Sequence, residues 1–243
     1  MAFRLEQVDP GGMGAQIASL PRQLEEGVVL AEGPASLPSR RGLRQVVVVG
    51  MGGSAIGGDL LASYLSPELR LPLLVERGPR LPAYVGADSL VVAISYSGET
   101  EETLTAFGEA LRRGARSLAV ASGGRLLRRA RSGGVPALAL PGGAAPRAAL
   151  GHLFSSVLVA LSRMGLLPSQ RGPLEEAASV LRAGNAEFSP DASSKRNPTL
   201  ALARRLAGRV PVVYGTHRGT DAVARRWRCQ FHENAKSWAA EGV

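Results

Sequence analysis

One short stretch constrains the fold of this chain more than any other: an apolar run that leads directly into a glycine-rich segment. Residues 43–49 end in four consecutive valines, a pattern typical of a parallel strand that is buried on both faces. Gly50–Asp59 follows without a spacer, and residues 54–65 have the pattern of a helix. A buried strand, a glycine-rich turn and a helix in this order predict a parallel α/β architecture.

The next eighty residues repeat this alternation. Further strands are predicted at residues 71–76, 89–95, 117–122 and 136–140, and helices at residues 99–113 and 126–132. The spacing predicts an α/β fold with a doubly wound, parallel five-stranded sheet flanked by helices, in one domain that spans residues 41–145.

The segments on either side follow different patterns. Residues 1–40 predict an N-terminal helical arm, with a helix at 16–30 that ends before Gly33 and Pro34. Residues 146–194 predict connecting helices at 146–167 and 174–186, and residues 188–198 a polar linker. Residues 195–243 predict a helix at 199–206, a strand at 209–214 and a helix at 221–240. Because one strand cannot form a sheet alone, this strand either joins another sheet or begins a second, incomplete α/β unit that is truncated here.

Composition excludes several classes of protein. The chain has 243 residues, 45% of them hydrophobic and 20% charged, so it can bury a core. Its single cysteine, Cys229, excludes an internal disulfide and a cysteine-based metal site. Residues 148–162 are uncharged but shorter than the ~20 residues that cross a membrane, and the N-terminus lacks a signal-peptide pattern. We therefore expect a cytoplasmic protein with no membrane partner.

The charge balance suggests an anionic partner. The 29 Lys and Arg exceed the 20 Asp and Glu by nine, and most of the excess lies in residues 195–243. Such a surface can bind nucleic acid, small anions such as phosphates, or another protein. The sequence has no helix-turn-helix pattern, zinc finger or interleaved aromatic stripe, so we expect no nucleic acid partner.

The glycine-rich turn has two interpretations. Backbone N–H groups in such a turn, together with a helix N-terminus, bind anions. Gly50, Gly52 and Ala55 also fit the loose dinucleotide pattern, and Glu76 ends the second strand, where a ribose-binding acid belongs. The alternative is a tight turn in which small residues are needed for packing.

The third strand ends in a segment rich in hydroxyl groups. Ser95, Ser97 and Thr100 cluster where a helix begins, at the carboxyl end of a strand, which is where open α/β sheets bind ligands. Hydroxyls and free helix N–H groups form a phosphate cradle. Simple capping by Ser97, with acidic residues in the first turn, is the alternative, but capping needs only one hydroxyl.

These two loops carry a resemblance. VVVVGMGGSAIGGD and VVAISYSGETEETL resemble the signature loops of the sugar isomerase (SIS) domain. APRAALG at 145–151, YGT at 214–216 and RWRCQFHENAK at 226–236 resemble the bifunctional phosphoglucose/phosphomannose isomerase family. The resemblance implies an enzyme that interconverts glucose 6-phosphate or mannose 6-phosphate with fructose 6-phosphate through a cis-enediol. It also implies a homodimer that uses no metal and no other cofactor.

The resemblance assigns roles to seven residues. Glu233 matches the base that moves a proton between C2 and C1, and Arg147 matches the arginine beside the developing enediolate. The phosphate-binding residues would be Gly53, Ser54, Ser95, Ser97 and Thr100. A base for this task needs some burial, which the apolar neighbours of Glu233 permit. Without the resemblance, Glu233 would be an exposed helix residue paired with a nearby arginine, and Arg147 a surface residue.

The sequence also departs from the family pattern. The family opens the sugar ring with a histidine in a segment after the glutamate, and a lysine region further on contributes to its site; neither segment occurs here. His217 and His232 lie outside the matching motif, so we expect structural or surface roles for both. A non-catalytic phosphosugar-binding protein of the same fold therefore remains an alternative to the isomerase. A nicotinamide oxidoreductase would leave the hydroxyl-rich segment unexplained.

Overall fold

The computed structural model describes residues 9–33, 36–189 and 197–243. The strands are β1 (Gln45–Val49), β2 (Leu73–Glu76), β3 (Ser89–Ile94), β4 (Arg116–Ala121), β5 (Ala137–Ala139), β6 (Val212–Tyr214) and β7 (Ala240–Gly242). The helices are α1 (Met13–Ala18), α2 (Leu20–Glu32), α3 (Gly52–Leu65), α4 (Glu101–Arg112), α5 (Gly124–Ser132), α6 (Leu150–Arg163), α7 (Arg171–Phe188), α8 (Pro198–Leu206) and α9 (Asp221–Asn234), with a 3₁₀ helix at Pro146–Ala148.

The first five strands form one parallel sheet in the order β2-β1-β3-β4-β5, which confirms the predicted fold class. The valines of β1 alternate between the two faces: Val46 and Val48 pack on one side, Val47 and Val49 on the other, and all four are buried. The strand order reverses between β1 and β3. In open α/β sheets, ligands bind at the carboxyl ends of the two strands that flank such a reversal.

Helices α2, α3, α6 and α7 cover one face of the sheet. Helices α2 and α6 lie so close together that a Cβ on Gly151 would come within 2.5 Å of the Gln23 Cβ. The buried amide of Gln23 joins the two segments: its Nε2 donates to the Ala148 carbonyl at 2.8 Å, and its Oε1 accepts from the Gly151 N–H at 3.0 Å. This contact fixes the 3₁₀ helix against α2.

Helices α4 and α5 cover the other face. Leu104 and Phe107 of α4 and Leu126 of α5 are fully buried against alternate residues of β3 and β4. The loop before β3 adds Leu81 and Val85, which pack with Val47 and Val49 of β1. The sheet is therefore covered on both sides, as its apolar strands predict.

The C-terminal unit, residues 197–243, corrects two predictions. The helix predicted at 221–240 ends at Asn234, and Lys236 then adopts a φ of 51°. The chain turns and forms β7, which pairs in parallel with β6. The strand predicted at 209–214 covers only Val212–Tyr214, and it pairs within its own unit instead of joining the large sheet.

Two other helix predictions also need correction. The helix predicted at 146–167 is a 3₁₀ turn followed by α6, which ends at Arg163. The helix predicted at 16–30 is two helices, α1 and α2, that meet at Ser19. Most of the linker predicted at 188–198 lies outside the described residues, as does Pro34.

In the described part of the chain, no helix is both long enough and apolar enough to cross a membrane. The same residues contain no group of three or more His, Cys, Asp or Glu that could hold a metal ion.

Candidate active site

The glycine loop and the hydroxyl loop meet at the reversal between β1 and β3. Ser54, in the first turn of α3, is buried, and its Oγ accepts a hydrogen bond from the Tyr96 N–H at 3.2 Å. Gly53 packs directly against the 3₁₀ helix, because a Cβ there would lie 3.0 Å from the Cα and N of Arg147. Two segments distant in sequence, at Tyr96 and at Pro146–Arg147, therefore approach this loop. The close approach of the second explains why residue 53 is a glycine.

The three hydroxyls of the second loop differ in their surroundings. Ser95 is fully buried; its Oγ lies 2.8 Å from Thr100 Oγ1 and accepts from the Gly98 N–H at 3.1 Å. Ser97 is exposed, and its Oγ accepts from the Glu99 N–H at 3.2 Å. Ser95 and Thr100 thus hold the loop in shape, whereas Ser97 presents its hydroxyl at the surface. The first N–H groups of α4 have no acceptor within the helix and lie next to this loop.

A charged contact fixes the other side of this loop. Arg125, at the start of α5, donates to Glu99 from both its Nε (2.7 Å) and its backbone N–H (2.9 Å). The hydrogen bond from the Arg125 side chain is the largest cause that lowers the pKa of Glu99 below its ordinary value. Glu99 is therefore ionised and holds the start of α5. Ser97 is the exposed hydroxyl of the loop between β3 and α4.

The structure brings together the two predicted catalytic residues. Arg147 Nη1 lies 3.3 Å from Glu233 Oε1, although 86 residues separate them in the chain. Arg147 comes from the 3₁₀ helix beside Gly53, and Glu233 from the last turn of α9. The side chain of Glu233 is 45% exposed, so the burial expected of a base is only partial in this structure. The glutamate pairs with an arginine, and that arginine is the other predicted site residue.

Two further residues position Arg147, and the sequence analysis assigned no role to either. The Arg147 Nε donates to Asn234 Oδ1 at 2.6 Å, and the Asn234 amide in turn donates to Gln230 Oε1 at 2.6 Å. Arg226 donates to the Arg147 carbonyl at 3.1 Å, and burial lowers the pKa of Arg226 from its ordinary value. Both residues lie in the segment 226–236, so its resemblance to the family was the one available signal.

The two candidate histidines lie in different settings. His232 Nε2 is 3.1 Å from the Ala239 nitrogen and 3.0 Å from its carbonyl oxygen, so the ring ties the end of α9 to the chain before β7. His217 is exposed in the loop between β6 and α9. Lys236 donates from Nζ to the Glu233 carbonyl at 2.7 Å, which holds the turn after the helix.

The nucleotide interpretation of the glycine loop receives no support from these contacts. Glu76 does end β2, but its carboxylate lies 3.4 Å from the Tyr84 hydroxyl. Gly50, the first glycine of that pattern, packs against the end of β3, because a Cβ there would lie 3.1 Å from the Ile94 carbonyl oxygen, so packing explains this glycine without a nucleotide.

The strand order and the two loops at its reversal define a sugar isomerase (SIS) fold. A solved structure with this fold is the C-terminal domain of glucosamine-fructose-6-phosphate aminotransferase from Francisella tularensis. It superimposes with a TM-score of 0.68 at 16% identity and covers 93% of this chain and 68% of that one.

Sequence comparison assigns the family. Residues 195–243 match the model of the bacterial phospho-glucose isomerase C-terminal SIS domain. The bifunctional phosphoglucose/phosphomannose isomerase of Caldicellulosiruptor bescii is 35% identical over 225 residues, which is 93% of this chain and 66% of that protein. The protein of the same name from Aquifex aeolicus is 37% identical over 193 residues, 79% of this chain and 56% of its own length. The chain belongs to the bifunctional phosphoglucose/phosphomannose isomerase family, and it spans between about half and two thirds of these relatives.

Proposed function

We propose that the protein is an aldose–ketose isomerase that interconverts glucose 6-phosphate, mannose 6-phosphate or both with fructose 6-phosphate. One observation supports this most: Arg147 and Glu233, from segments far apart in the chain, lie 3.3 Å apart beside the glycine loop. An arginine and a carboxylate in this arrangement can stabilise an enediolate and move a proton.

The phosphate group of the substrate would bind at the two loops. Ser97 offers an exposed hydroxyl, and the loop that contains Gly53 and Ser54 offers backbone N–H groups at the start of α3. In this proposal Ser95 and Thr100 act by holding the second loop in its binding shape. Anchoring the phosphate at C6 would direct C1 and C2 toward the end of α9. The reacting carbons would then be held in a fixed orientation relative to the carboxylate of Glu233, which lowers the entropic cost of the reaction.

Glu233 would carry the proton between the two carbons. In the aldose-to-ketose direction its carboxylate removes the C2 proton from the open-chain sugar, and a cis-enediol forms. The same carboxyl group then returns a proton to C1, while the proton of the C2 hydroxyl ends on the C1 oxygen. No electron leaves the substrate, so the reaction balances with these groups alone.

Arg147 would stabilise the negative charge that develops on the enediolate oxygens. Its guanidinium is held by Asn234 and its backbone by Arg226, so it is fixed before the charge appears. Fixed charges of this kind lower the barrier because they need no rearrangement during the reaction.

The proposal includes a homodimer that works in the cytoplasm, with a hexose phosphate as its small-molecule partner and with no metal or other cofactor. Glu233 is 45% exposed in the single chain, and a second copy over the end of α9 would shield it from water. Exposed Trp238 and Tyr214 lie on the same C-terminal unit and could be covered by that copy.

The test is hydrogen exchange during turnover. We expect the protein in deuterated water to place deuterium on C1 of fructose 6-phosphate and to form an aldose 6-phosphate labelled at C2, both followed by NMR. Glu233→Gln should abolish both signals, whereas Glu176→Gln, an exposed glutamate on α7, should leave them unchanged.

Equal exchange in wild type and Glu233→Gln would overturn the assignment of the base. Absence of exchange in wild type, combined with thermal stabilisation by fructose 6-phosphate, would instead support the non-catalytic phosphosugar-binding protein.

A further inference from the structure

A second concave site lies away from the candidate active site. A cavity of about 720 Å³ opens between α3, β2 and α9, a size within the range of small-molecule pockets. Its charged lining consists of four arginines and two aspartates: Arg70, Arg77, Arg218, Arg225, Asp59 and Asp221. Arg225 and Glu233 are eight residues apart on α9, so the cavity lies about 12 Å along the helix from the proposed base.

Both carboxylates in this cavity already have partners. Asp59 is 8% exposed and bonds to Arg77, and Arg225 Nη1 lies 3.4 Å from the same Asp59 oxygen. Asp221 accepts a hydrogen bond from Ser63 Oγ at 2.7 Å. Asp59 is therefore neutralised within an ion-pair network, whereas Asp221 is held by hydrogen bonds and keeps its negative charge.

Two arginines of the cavity have no such partner. Arg70 and Arg218 form no ion pair with any carboxylate in the described ranges, although both line the cavity. The backbone of Arg218 has a φ of 54°, a conformation that residues other than glycine rarely adopt. Arg77 and Arg225 both pair with Asp59, and Arg225 also pairs with Glu241 outside the cavity, so the unpaired positive charges of the lining are those of Arg70 and Arg218.

We propose that this cavity is a second binding site, for a small phosphorylated molecule whose phosphate monoester lies between Arg70 and Arg218. The two negative charges of a monoester dianion match the two positive charges of Arg70 and Arg218. Each guanidinium can donate to two phosphate oxygens at once. Half-buried Leu69, Leu71 and Val75 line the cavity and provide an apolar wall for the organic part of the ligand.

The position of the cavity gives such a ligand a structural effect. Arg70 follows α3, whose first turn carries Gly53, and Arg218 precedes α9, whose last turn carries Glu233. A phosphate bridging the two arginines would tie the C-terminal unit to the large sheet. Binding there would therefore stabilise the arrangement of both segments of the candidate active site.

The test uses glycerol 3-phosphate, a small monoester, in equilibrium dialysis at low salt. We expect two classes of bound probe in the wild-type chain. Arg218→Ala and Arg70→Ala should each weaken one class about tenfold or more, as expected when a charge-assisted hydrogen bond is lost. Ser97→Ala should weaken only the other class. Arg209→Ala, an exposed arginine outside the cavity, is the matched control and should change neither.

Binding curves for Arg70→Ala and Arg218→Ala that coincide with wild type would overturn the proposal. So would equal weakening by Arg209→Ala, which would indicate attraction by net charge alone. The two arginines lie on separate segments, so if one variant fails to fold the other still decides. None of these outcomes depends on isomerase activity, so they remain separate from the test of Glu233.

Discussion

Gly53 is the residue through which the glycine loop contacts the segment that contains Arg147. A Cβ at this position would lie 3.0 Å from Arg147 Cα and N, which are backbone atoms that cannot rotate away. Gly53→Ala should therefore displace Arg147, lower the free energy of unfolding by about 1–3 kcal/mol and reduce turnover. Chemical denaturation and a steady-state isomerase assay measure the two effects.

Gly57 provides the matched control on the same helix. A Cβ there would lie 3.7 Å from the Leu153 Cβ, an ordinary contact, and alanine stabilises a helix interior by about 1 kcal/mol relative to glycine. Gly57→Ala should leave turnover unchanged. If both variants behave alike, the close packing of Gly53 against Arg147 is not what orders the site.

Asn234 tests whether the orientation of Arg147 matters. Asn234→Ala removes the acceptor that lies 2.6 Å from the Arg147 Nε. We expect kcat to fall by about 10- to 100-fold with little change in KM, because a misplaced group affects the transition state most. Asn234→Asp keeps the acceptor and should retain most of the turnover. Asn185→Ala is the control, because its amide on α7 donates to the Ala18 carbonyl and not to Arg147; an unchanged kcat in Asn234→Ala would contradict the role.

At the level of single residues, the sequence predicted Arg147 and Glu233 because both lie in segments that resemble a known family. Asn234 and Arg226 were not predicted, although they lie beside Glu233. Their roles depend on which atoms of Arg147 they reach, and that is decided by how α9 docks against the 3₁₀ helix. The burial expected for Glu233 depends on the same docking, and the side chain is more exposed than expected.

Among the structural elements, the loop after β3 allows ligand binding and protein stability to be tested separately, through Ser97 and Ser95. Ser95→Ala leaves Thr100 Oγ1 without its buried partner, while the Gly98 N–H keeps the Ser95 carbonyl at 2.9 Å; the loss should cost about 1–3 kcal/mol of stability. Ser97→Ala changes an exposed hydroxyl, so stability should change by less than about 0.5 kcal/mol. Titration with fructose 6-phosphate should show weaker binding for Ser97→Ala. The opposite pattern would show that Ser97 supports the loop and Ser95 contacts the ligand.

Elements of the large sheet were easier to predict than those of the C-terminal unit. The central strands β1, β3 and β4 are apolar runs that are buried on both faces, so their own sequence specifies them. The sequence Ala240–Gly242 carries no such signal, and it becomes β7 only because β6 lies alongside. The left-handed φ of Lys236 that ends the preceding helix also occurs at a residue where glycine would be expected.

At the scale of the whole molecule, Asp221 links the C-terminal unit to the first. Its carboxylate accepts from Ser63 Oγ, and this hydrogen bond is the largest cause that lowers the pKa of Asp221 below 3.8. A depressed pKa contributes stability that is fully present above the unfolded value and is lost as the pH falls through the folded value. Asp221→Asn should therefore destabilise the protein near neutral pH.

The difference between wild type and Asp221→Asn should disappear in acid, below the folded-state pKa of Asp221. Denaturant unfolding at several pH values measures it. Asp88→Asn is the control, because the Arg44–Asp88 ion pair is 3.7 Å long and exposed, and such pairs contribute little. A difference between wild type and Asp221→Asn that stays constant down to acid pH would show that the charge of Asp221 is not involved.

The central claim for the whole molecule is that one carboxylate, Glu233, carries a proton between two carbons of a hexose phosphate. The most direct measurement follows deuterium from C2 of glucose 6-phosphate during conversion to fructose 6-phosphate in ordinary water. We expect part of the label to appear on C1 and the rest in the solvent, and we expect Glu233→Gln to move none. Full retention of the label at C2 in the wild-type protein, or equal transfer in Glu233→Gln, would contradict it.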